Sequence, residues 1–175
     1  MRNIQVYLRG QGIHTQVAPY SAAAQLVNME RENALHATSG SASCLLFGAD
    51  KVIIHFDWEA KTFNWVSVEK CLKKLSVPRD QFVNICLLSG SSILPVFPDV
   101  DADAGGSRIQ ATRSLLGRNT FDVLSLLHDH EGYRDLYEKA RFILKHPVVV
   151  THDGKIEPLN WESGPGESNI YHACS

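Results

Sequence analysis

Thr38-Ser-Gly-Ser-Ala-Ser-Cys-Leu-Leu-Phe-Gly48 is the stretch on which the interpretation of this sequence depends. We interpret it as a strand end and loop of an α/β domain, because small polar residues run directly into an apolar segment. In such domains the chemistry lies at the carboxyl edge of the sheet. An alternating pair of acidic residues there would hold a metal ion. This sequence has Ser41 and Ser43 instead, which predicts a domain that binds without using a metal.

The charge balance argues against a protein that attracts nucleic acid over its whole surface. The 175 residues carry 17 Lys+Arg and 19 Asp+Glu, for a formal net charge of −2. Apolar residues make up 44% and charged residues 21%, as in ordinary soluble domains. No global positive field therefore draws in nucleic acid, and only a local basic patch could bind it.

The cysteines indicate a reducing compartment. None of the four, Cys44, Cys71, Cys86 and Cys174, forms a CxxC pair, so we expect free thiols in a reducing compartment, the cytosol or the nucleus. Met1 is not followed by a signal-peptide apolar region, and no apolar run is long enough to cross a bilayer. We therefore expect no membrane partner.

Hydrophobic periodicity predicts alternating strands and helices in the first half and mostly helices in the second. Predicted strands cover residues 13–17, 34–38, 45–47, 52–56, 63–66 and 147–151. Predicted helices cover residues 3–9, 21–32, 68–75, 78–89, 107–116, 121–127 and 133–145, with a long loop over 94–106.

This order divides the chain into three regions. Residues 1–106 form an α/β region, residues 107–152 a helical extension, and residues 153–175 a polar, Gly/Pro-rich tail that we expect to be flexible. A doubly wound sheet needs a first strand in its middle, and nothing before Ile13 supplies one. We therefore expect the chain to be the later part of a larger domain.

Isolated reactive residues do not suggest a catalytic centre. His128-Asp129-His130 lies at a predicted helix junction and has no further ligand close in sequence, so helix capping is the favoured interpretation. Cys44 and Cys86 lie in apolar runs, which favours buried thiols over nucleophiles.

Two surface groups remain candidates for binding. Arg108, Arg113 and Arg118 are a candidate RNA or phosphate patch, although five-residue spacing spreads them around a helix and favours a solvated surface. The second group consists of the aromatic residues Trp58, Phe63 and Trp65, which are either core residues or an interface.

Three segments together resemble the internal region of the XPG/flap-endonuclease family, which has a PIN-like fold. They are Val17-Ala-Pro-Tyr-Ser-Ala-Ala-Ala-Gln-Leu26, Ser41-Ala-Ser-Cys-Leu-Leu-Phe-Gly48 and Asp80-Gln-Phe-Val-Asn-Ile-Cys-Leu-Leu-Ser-Gly-Ser-Ser-Ile93. They resemble, in order and spacing, A-P-x-E-A-E-A-Q, D-x-D-x-L-x-F-G and the helix end Q-F-x-x-x-x-x-L-x-G-x-D-Y. The resemblance implies an α/β fold with a twisted, mainly parallel sheet flanked by helices, whose first strand is missing here.

The resemblance also identifies the positions at which this chain departs from the family. The family's acidic residues hold two divalent metals that activate water and clamp a phosphate. The matching positions here are neutral: Ser21, Ala23, Ser41, Ser43 and Ser92. We therefore predict no catalytic residues and no cofactor. The alternative is a metal-dependent endonuclease that uses Mg²⁺ or Mn²⁺ and borrows acidic residues from an upstream segment or a partner chain. Asp50, Asp57 and Glu59 are the nearest spare carboxylates in this chain, but they follow the relevant strand ends.

The segment after the third match lacks the family's helix-hairpin-helix sequence. The acidic run that begins at Pro98 stands in its place, so we expect no binding to duplex DNA.

A narrower resemblance is to the fungal maintenance-of-killer-toxin regulators. It rests on Gln16-Val-Ala-Pro-Tyr-Ser21, Asp80-Gln-Phe82, Ala140-Arg-Phe142, Pro147-Val148 and Asp153-Gly-Lys-Ile-Glu157. It implies a cytoplasmic post-transcriptional regulator that works with an ataxin-2-like partner, which in turn binds poly(A)-binding protein. Any contact with mRNA is then expected to be indirect. The leading hypothesis is a catalytically inactive nuclease-like scaffold, and the rivals are a residual nuclease and an RNA-binding module.

Overall fold

The computed structural model of the chain describes residues 2–102, 106–118 and 122–159. Its helices are α1 (Arg2–Gly10), α2 (Ala22–Arg31), α3 (Ser43–Leu46), α4 (Val68–Leu75), α5 (Arg79–Leu88), α6 (Pro98–Ala102), α7 (Arg108–Arg118), α8 (Val123–Leu126) and α9 (Glu131–Lys145). Its strands are β1 (Lys51–Asp57), β2 (Thr62–Ser67), β3 (Val148–Val150) and β4 (Ile156–Pro158).

Helix α2 begins and ends where its sequence predicts. The Ser21 hydroxyl caps the helix by accepting a hydrogen bond from the Ala24 amide at 3.5 Å. Beyond the last turn, Asn33 adopts a left-handed conformation with φ 56°, which Asn tolerates better than most residues. Ala24 and Val27 on one face of α2 enter the core.

Strands β1 and β2 form an antiparallel hairpin with an irregularity between Ile53 and His55. Its turn is held by Asp57, whose Oδ1 accepts hydrogen bonds from the amides of Glu59 and Ala60 at 3.1 and 2.9 Å. On the other side of β1, Ser39 forms an isolated parallel bridge with Ile53. The hairpin is therefore fixed to the segment that precedes α3.

The sheet differs from the one predicted from sequence. Residues 45–47 were predicted as a strand. Leu45 and Leu46 instead form the end of the short helix α3, and Phe47 follows it. All three residues are buried. A short apolar run does not distinguish a strand from a buried helical turn, which explains this error. The predicted strands 13–17 and 34–38 are also wrong, because neither segment lies in a described strand. Among the described residues, the two hairpins are antiparallel and the one parallel pairing is the Ser39–Ile53 bridge.

Helix α5 is the centre of the core. Five of its ten residues are buried: Phe82, Val83, Ile85, Leu87 and Leu88. Helix α7 packs against its end through a buried hydrogen bond of 2.8 Å between the hydroxyls of Ser89 and Thr112. The Ser89 hydroxyl also bonds to the Ile85 carbonyl and the Thr112 hydroxyl to the Arg108 carbonyl, so neither hydroxyl is left unsatisfied in the interior.

The predicted α/β region and helical extension share one core. The Gln25 side chain on α2 donates to the carbonyl and accepts from the amide of Val150 on β3, both at 2.8 Å. On α9, Tyr137 donates to Asn84 of α5 at 2.8 Å. These contacts join residues more than 50 positions apart in sequence.

Two features were missed by the sequence analysis. Helix α6 lies inside the predicted loop 94–106. Strand β4 lies inside the predicted tail 153–175, where it pairs with β3, and the remainder of that tail from residue 160 lies outside the described residues. Within the described ranges, no helix is both long and apolar enough to span a bilayer.

Candidate functional site

Three of the five positions identified by the family resemblance converge in space. The Ser43 hydroxyl lies 3.0 Å from that of Ser41 and 3.3 Å from that of Ser92. The Ser43 amide also donates to Ser41 Oγ at 3.2 Å. We call Ser41, Ser43 and Ser92 the hydroxyl cluster. It joins the start of α3 to the segment after α5, across 49 residues of sequence.

The hydroxyl cluster is positioned by the turn that ends α5. Gly90 has φ 95°, a conformation that L side chains rarely adopt, and an added Cβ would lie 2.6 Å from Val96 Cγ2. The next residue, Ser91, donates its amide to the Leu94 carbonyl at 2.8 Å. Its hydroxyl accepts from the amides of Ile93 and Leu94. This turn carries Ser92 back towards α3.

The hydroxyl cluster does not have the chemistry of a magnesium site. Mg²⁺ is bound in proteins through one or two carboxylates that offset its charge and dehydration. The three serine hydroxyls are neutral, and they hydrogen-bond to one another. In the described part of the chain, no group of three His, Cys, Asp or Glu residues could hold a metal ion. The residues present therefore do not fit the two metals that the resemblance implies.

Ser21 and Ala23 have structural roles outside the hydroxyl cluster. Ser21 accepts from the Ala24 amide at the start of α2, and Ala23 packs against the core. Neither has a carboxylate, and the Ser21 hydroxyl bonds to its own helix rather than to the three clustered serines. The structure thus brings together three of the five predicted positions.

Two of the three spare carboxylates considered for a residual nuclease make contacts within the fold. Asp57 holds the turn of the β1–β2 hairpin through two backbone amides. Asp50 Oδ1 lies 3.9 Å from an Arg79 nitrogen, and Arg79 also donates to the Leu45 carbonyl at 3.5 Å. Glu59 is exposed in the hairpin turn. These contacts give each of the first two carboxylates a structural role.

A charged group beside α3 was missed by the sequence analysis. Glu30 Oε2 accepts from the buried Thr38 hydroxyl at 3.1 Å. Burial, followed by the positive charge of Arg79, lowers the pKa of Arg31. Glu30 and Arg31 are adjacent, but Arg79 joins them from a distant helix, and no spacing pattern predicts that contact.

The thiols behave as expected for structural residues, whereas the predicted helix-capping role of the histidine motif is wrong, because His130 is the N-cap residue of α9 but its side chain makes no capping hydrogen bond. Cys44 is buried, and burial raises the pKa of its thiol. Burial also raises the pKa of Cys86 to about 12. A thiol with so high a pKa has almost no thiolate at neutral pH and is a poor nucleophile. In the histidine motif, His128 Nδ1 lies 2.9 Å from its exposed neighbour Asp129.

The three arginines of the candidate RNA patch all lie on α7, and all are exposed. Arg113 is nevertheless committed to a neighbour, because its Nε donates to the Leu75 carbonyl at 2.6 Å. Leu75 ends α4, so this bond satisfies one of the helix's open carbonyls. Arg118 lines a cavity of about 220 Å³ together with Asp99. That the three bind RNA as a unit stays a prediction.

Replacing Arg113 with alanine should lower the free energy of unfolding by about 1 kcal/mol, since an exposed helix-capping hydrogen bond is lost. Urea denaturation followed by circular dichroism measures this change. Arg134→Ala is the matched control, because it breaks an exposed pair with Glu138 on α9 and should cost less, about 0.5 kcal/mol or below. Equal losses in the two variants would contradict a capping role for Arg113.

Comparison with known proteins finds a family model that matches part of the chain. The XPG I-region matches residues 12–92. Flap endonuclease-1 from Methanococcus jannaschii superimposes with a TM-score of 0.62 at 19% identity, covering 82% of this chain and 42% of that one. The chain is similar to the XPG/flap-endonuclease superfamily over its XPG I-region. The catalytic core of Rad2 in complex with DNA substrate (complex IV) superimposes with a TM-score of 0.55 at 20% identity, covering 81% and 48% of the two chains. The fold is thus the α/β, PIN-like fold of these nuclease cores, with a partial sheet.

The chain resembles two groups of relatives, post-transcriptional regulators and flap endonucleases. It is 26% identical over 166 residues to the post-transcriptional regulator MKT1 of Cryptococcus neoformans, covering 91% of this chain and 21% of the relative. The fission yeast Schizosaccharomyces pombe mkt1 regulator is 26% identical over 203 residues, with 96% and 25% covered. Flap endonuclease 1 of Glycine max is 26% identical over 171 residues, with 93% and 43% covered. The chain spans less than half the length of each, and the likeness to both groups confirms the resemblance inferred from the three segments.

Proposed function

We propose that this chain is a catalytically inactive nuclease-like scaffold that acts in post-transcriptional regulation. The observation that carries the proposal is the hydroxyl cluster, in which Ser41, Ser43 and Ser92 lie within 3.0–3.3 Å of a neighbour. These are the positions at which the superfamily resemblance implies metal-binding carboxylates. What supports the proposal is that three of these positions lie together and that none of the three carries a charge.

The loss of charge removes the chemistry of metal-dependent hydrolysis. A bound divalent metal lowers the pKa of its water and stabilises the charge that develops on the phosphate. A neutral serine hydroxyl provides no charge to attract such a metal out of water. The hydroxyls instead satisfy one another, so the site is stable as it stands.

The regulatory half of the proposal is supported by the relatives. The Cryptococcus neoformans and Schizosaccharomyces pombe proteins are both described as post-transcriptional regulators, and more than nine-tenths of this chain is covered by each match. We accordingly propose that the chain is cytoplasmic and that it binds an ataxin-2-like protein partner. Its regulatory effect would then come from binding this partner rather than from catalysis.

The alternative is a metal-dependent endonuclease, which the likeness to the flap endonuclease of Glycine max favours. Labelled flap DNA and single-stranded RNA incubated with the chain in manganese distinguish the two. The scaffold should give no cleavage above an EDTA control. A Ser43→Ala variant is the matched control, because contaminating nuclease would be unchanged by it. Manganese-dependent cleavage that survives repurification and falls in Ser43→Ala would overturn the proposal.

A further inference from the structure

The β1–β2 hairpin presents a row of aromatic rings on the side opposite the core. The register places Phe56 opposite Phe63 and Ile53 opposite Trp65, on one side of the hairpin. On the opposite side of the hairpin, Val52 is completely buried and Val66 is half-buried. Phe56 and Trp58 stack with ring centroids 5.2 Å apart and an interplanar angle of 15°. We call Phe56, Trp58, Phe63 and Trp65 the aromatic face.

The aromatic face is open to solvent. Trp58 is 81% exposed, Phe63 54% and Trp65 41%. Exposed aromatic area of this kind is costly unless it is used, since fully burying one such side chain gains about 1.5–3 kcal/mol. The aromatic face was a candidate interface from sequence, and its exposure excludes the alternative that these residues form the core.

Lysines border the aromatic face. Lys70 Nζ lies 4.4 Å from the centroid of the Trp65 ring, and Lys51 Nζ lies 5.7 Å from it. Residues 51–74 contain five lysines and three acidic residues, within a chain whose formal net charge is −2. One acidic residue, Glu69, is paired with Lys73 at 2.7 Å. The hairpin itself is neutral, with two lysines and two acidic residues, and the positive charge beside the Trp65 ring comes from Lys51 and from Lys70 on α4.

We propose that the aromatic face binds single-stranded RNA. Stacking rings flanked by cations are what single strands need, because bases stack on the aromatic side chains while lysines contact phosphates. A duplex keeps its bases stacked inside and could not use these rings. Aromatic residues are also enriched at protein interfaces, so a protein partner is one of the outcomes that the test below distinguishes. The choice of RNA over DNA rests on the proposed regulatory function.

Fluorescence anisotropy with labelled oligouridylate and oligoadenylate of about 12 nucleotides tests the proposal in EDTA. Both RNAs should bind, since stacking is tolerant of sequence. Trp58→Leu should weaken binding about 10-fold or more, whereas Trp58→Phe should retain most of it, because only the second variant keeps an aromatic ring. A further variant, Phe63→Ala, removes another ring of the aromatic face. Its control is Phe142→Ala on α9, which removes a ring that is 66% exposed and should bind RNA as the unaltered chain does.

The salt dependence tests the role of the lysines. Each lysine that contacts a phosphate adds about 0.7 to the slope of log affinity against log salt for a single strand. Replacing Lys51 and Lys70 together with alanine should therefore lower the slope by about 1.4. Lys139→Ala should leave it unchanged, because this lysine lies on α9, which carries none of the aromatic face.

Several results would overturn the proposal. These are no RNA binding at low salt, unchanged binding in Trp58→Leu, or loss of binding only in variants of the α7 arginines. Tighter binding of a matched single-stranded DNA would contradict the choice of RNA. Capture of a protein partner that tolerates Trp58→Leu but not Phe63→Ala, without RNA binding, would make the aromatic face a protein interface. Because binding is measured in EDTA, its outcome is independent of whether the hydroxyl cluster can support cleavage.

Discussion

Replacing Ser41, Ser43 and Ser92 together with aspartate is expected to destabilise the chain in EDTA by about 2–4 kcal/mol at low ionic strength, and manganese should reverse the loss. The three hydroxyls are 3.0–3.3 Å from a neighbour. Three carboxylates so close would repel, at about 4 kcal/mol for a pair 4 Å apart in a partly shielded site and about 1 kcal/mol in water. Since Ser41 and Ser92 are exposed, solvent screening brings the repulsion energy of each carboxylate pair closer to its value in water than to its value in a shielded site.

Metal binding should then recover the stability, because carboxylates grouped at this spacing are suitable ligands for a divalent ion. At a manganese concentration about 100 times its Kd, binding to the folded state would return about 2.7 kcal/mol. That corresponds to a rise in Tm of about 6–10 °C for a domain of this size. Differential scanning calorimetry with and without manganese measures both effects in one series.

The control for the aspartate variant carries equal charge without proximity. Ser107, Ser114 and Ser125 are exposed serines on different turns or helices, so the same three substitutions there should cost little, and manganese should have no effect. The unaltered chain should likewise show no shift in Tm with manganese. A shift of several degrees in the unaltered chain would mean that the serine site binds metal, and would contradict the interpretation of the hydroxyl cluster as metal-free.

The sequence predicted most helices, because their ends carry local signals. Ser21 caps α2, Gly90 follows α5, and the segment around Pro78 begins α5. The hairpin was likewise predicted, from β-branched and aromatic residues on both sides of a turn. Such features depend on neighbours in sequence, and tertiary contacts did not override them.

The sheet could not be predicted, because pairing is a property of distant segments. Residues 34–38 do not form the predicted strand. The next residue, Ser39, makes a single parallel bridge. Strand β4 was missed for a similar reason: residues 156–158 carry little apolar signal and are held in place by β3. Local pattern does not encode such partners.

The candidate site was predicted only as far as sequence order allows. The family resemblance identified Ser41, Ser43 and Ser92 as related positions, and the structure places them in contact. The same resemblance could not show that Ser21 would cap a helix rather than join them, nor that Arg113 would cap α4. These roles are set by the direction of single hydrogen bonds, which no spacing pattern specifies.

Phe97→Ala is expected to cost about 3–5 kcal/mol, the largest loss from a single substitution that the core suggests. Phe97 is completely buried and sits between the central helix and the helical extension. Its amide donates to the Leu88 carbonyl at the end of α5 at 2.9 Å. Its ring meets Tyr133 edge-on at 5.1 Å and His130 at 4.8 Å. Removing the ring would leave a cavity and also two aromatic contacts without a partner.

Urea denaturation followed by circular dichroism gives the size of this loss, and a comparison with Phe142→Ala gives its cause. The same atoms are removed from Phe142, which is 66% exposed on α9, so its cost should stay below about 1 kcal/mol. Phe97→Leu should fall between the two, because leucine refills part of the cavity. Phe97 also neighbours Tyr133, whose hydroxyl donates to Pro95 at 2.8 Å. If Phe97→Ala cost no more than Phe142→Ala, the extension would not depend on this ring, and the single core shared by residues 1–106 and 107–152 would have to be reconsidered.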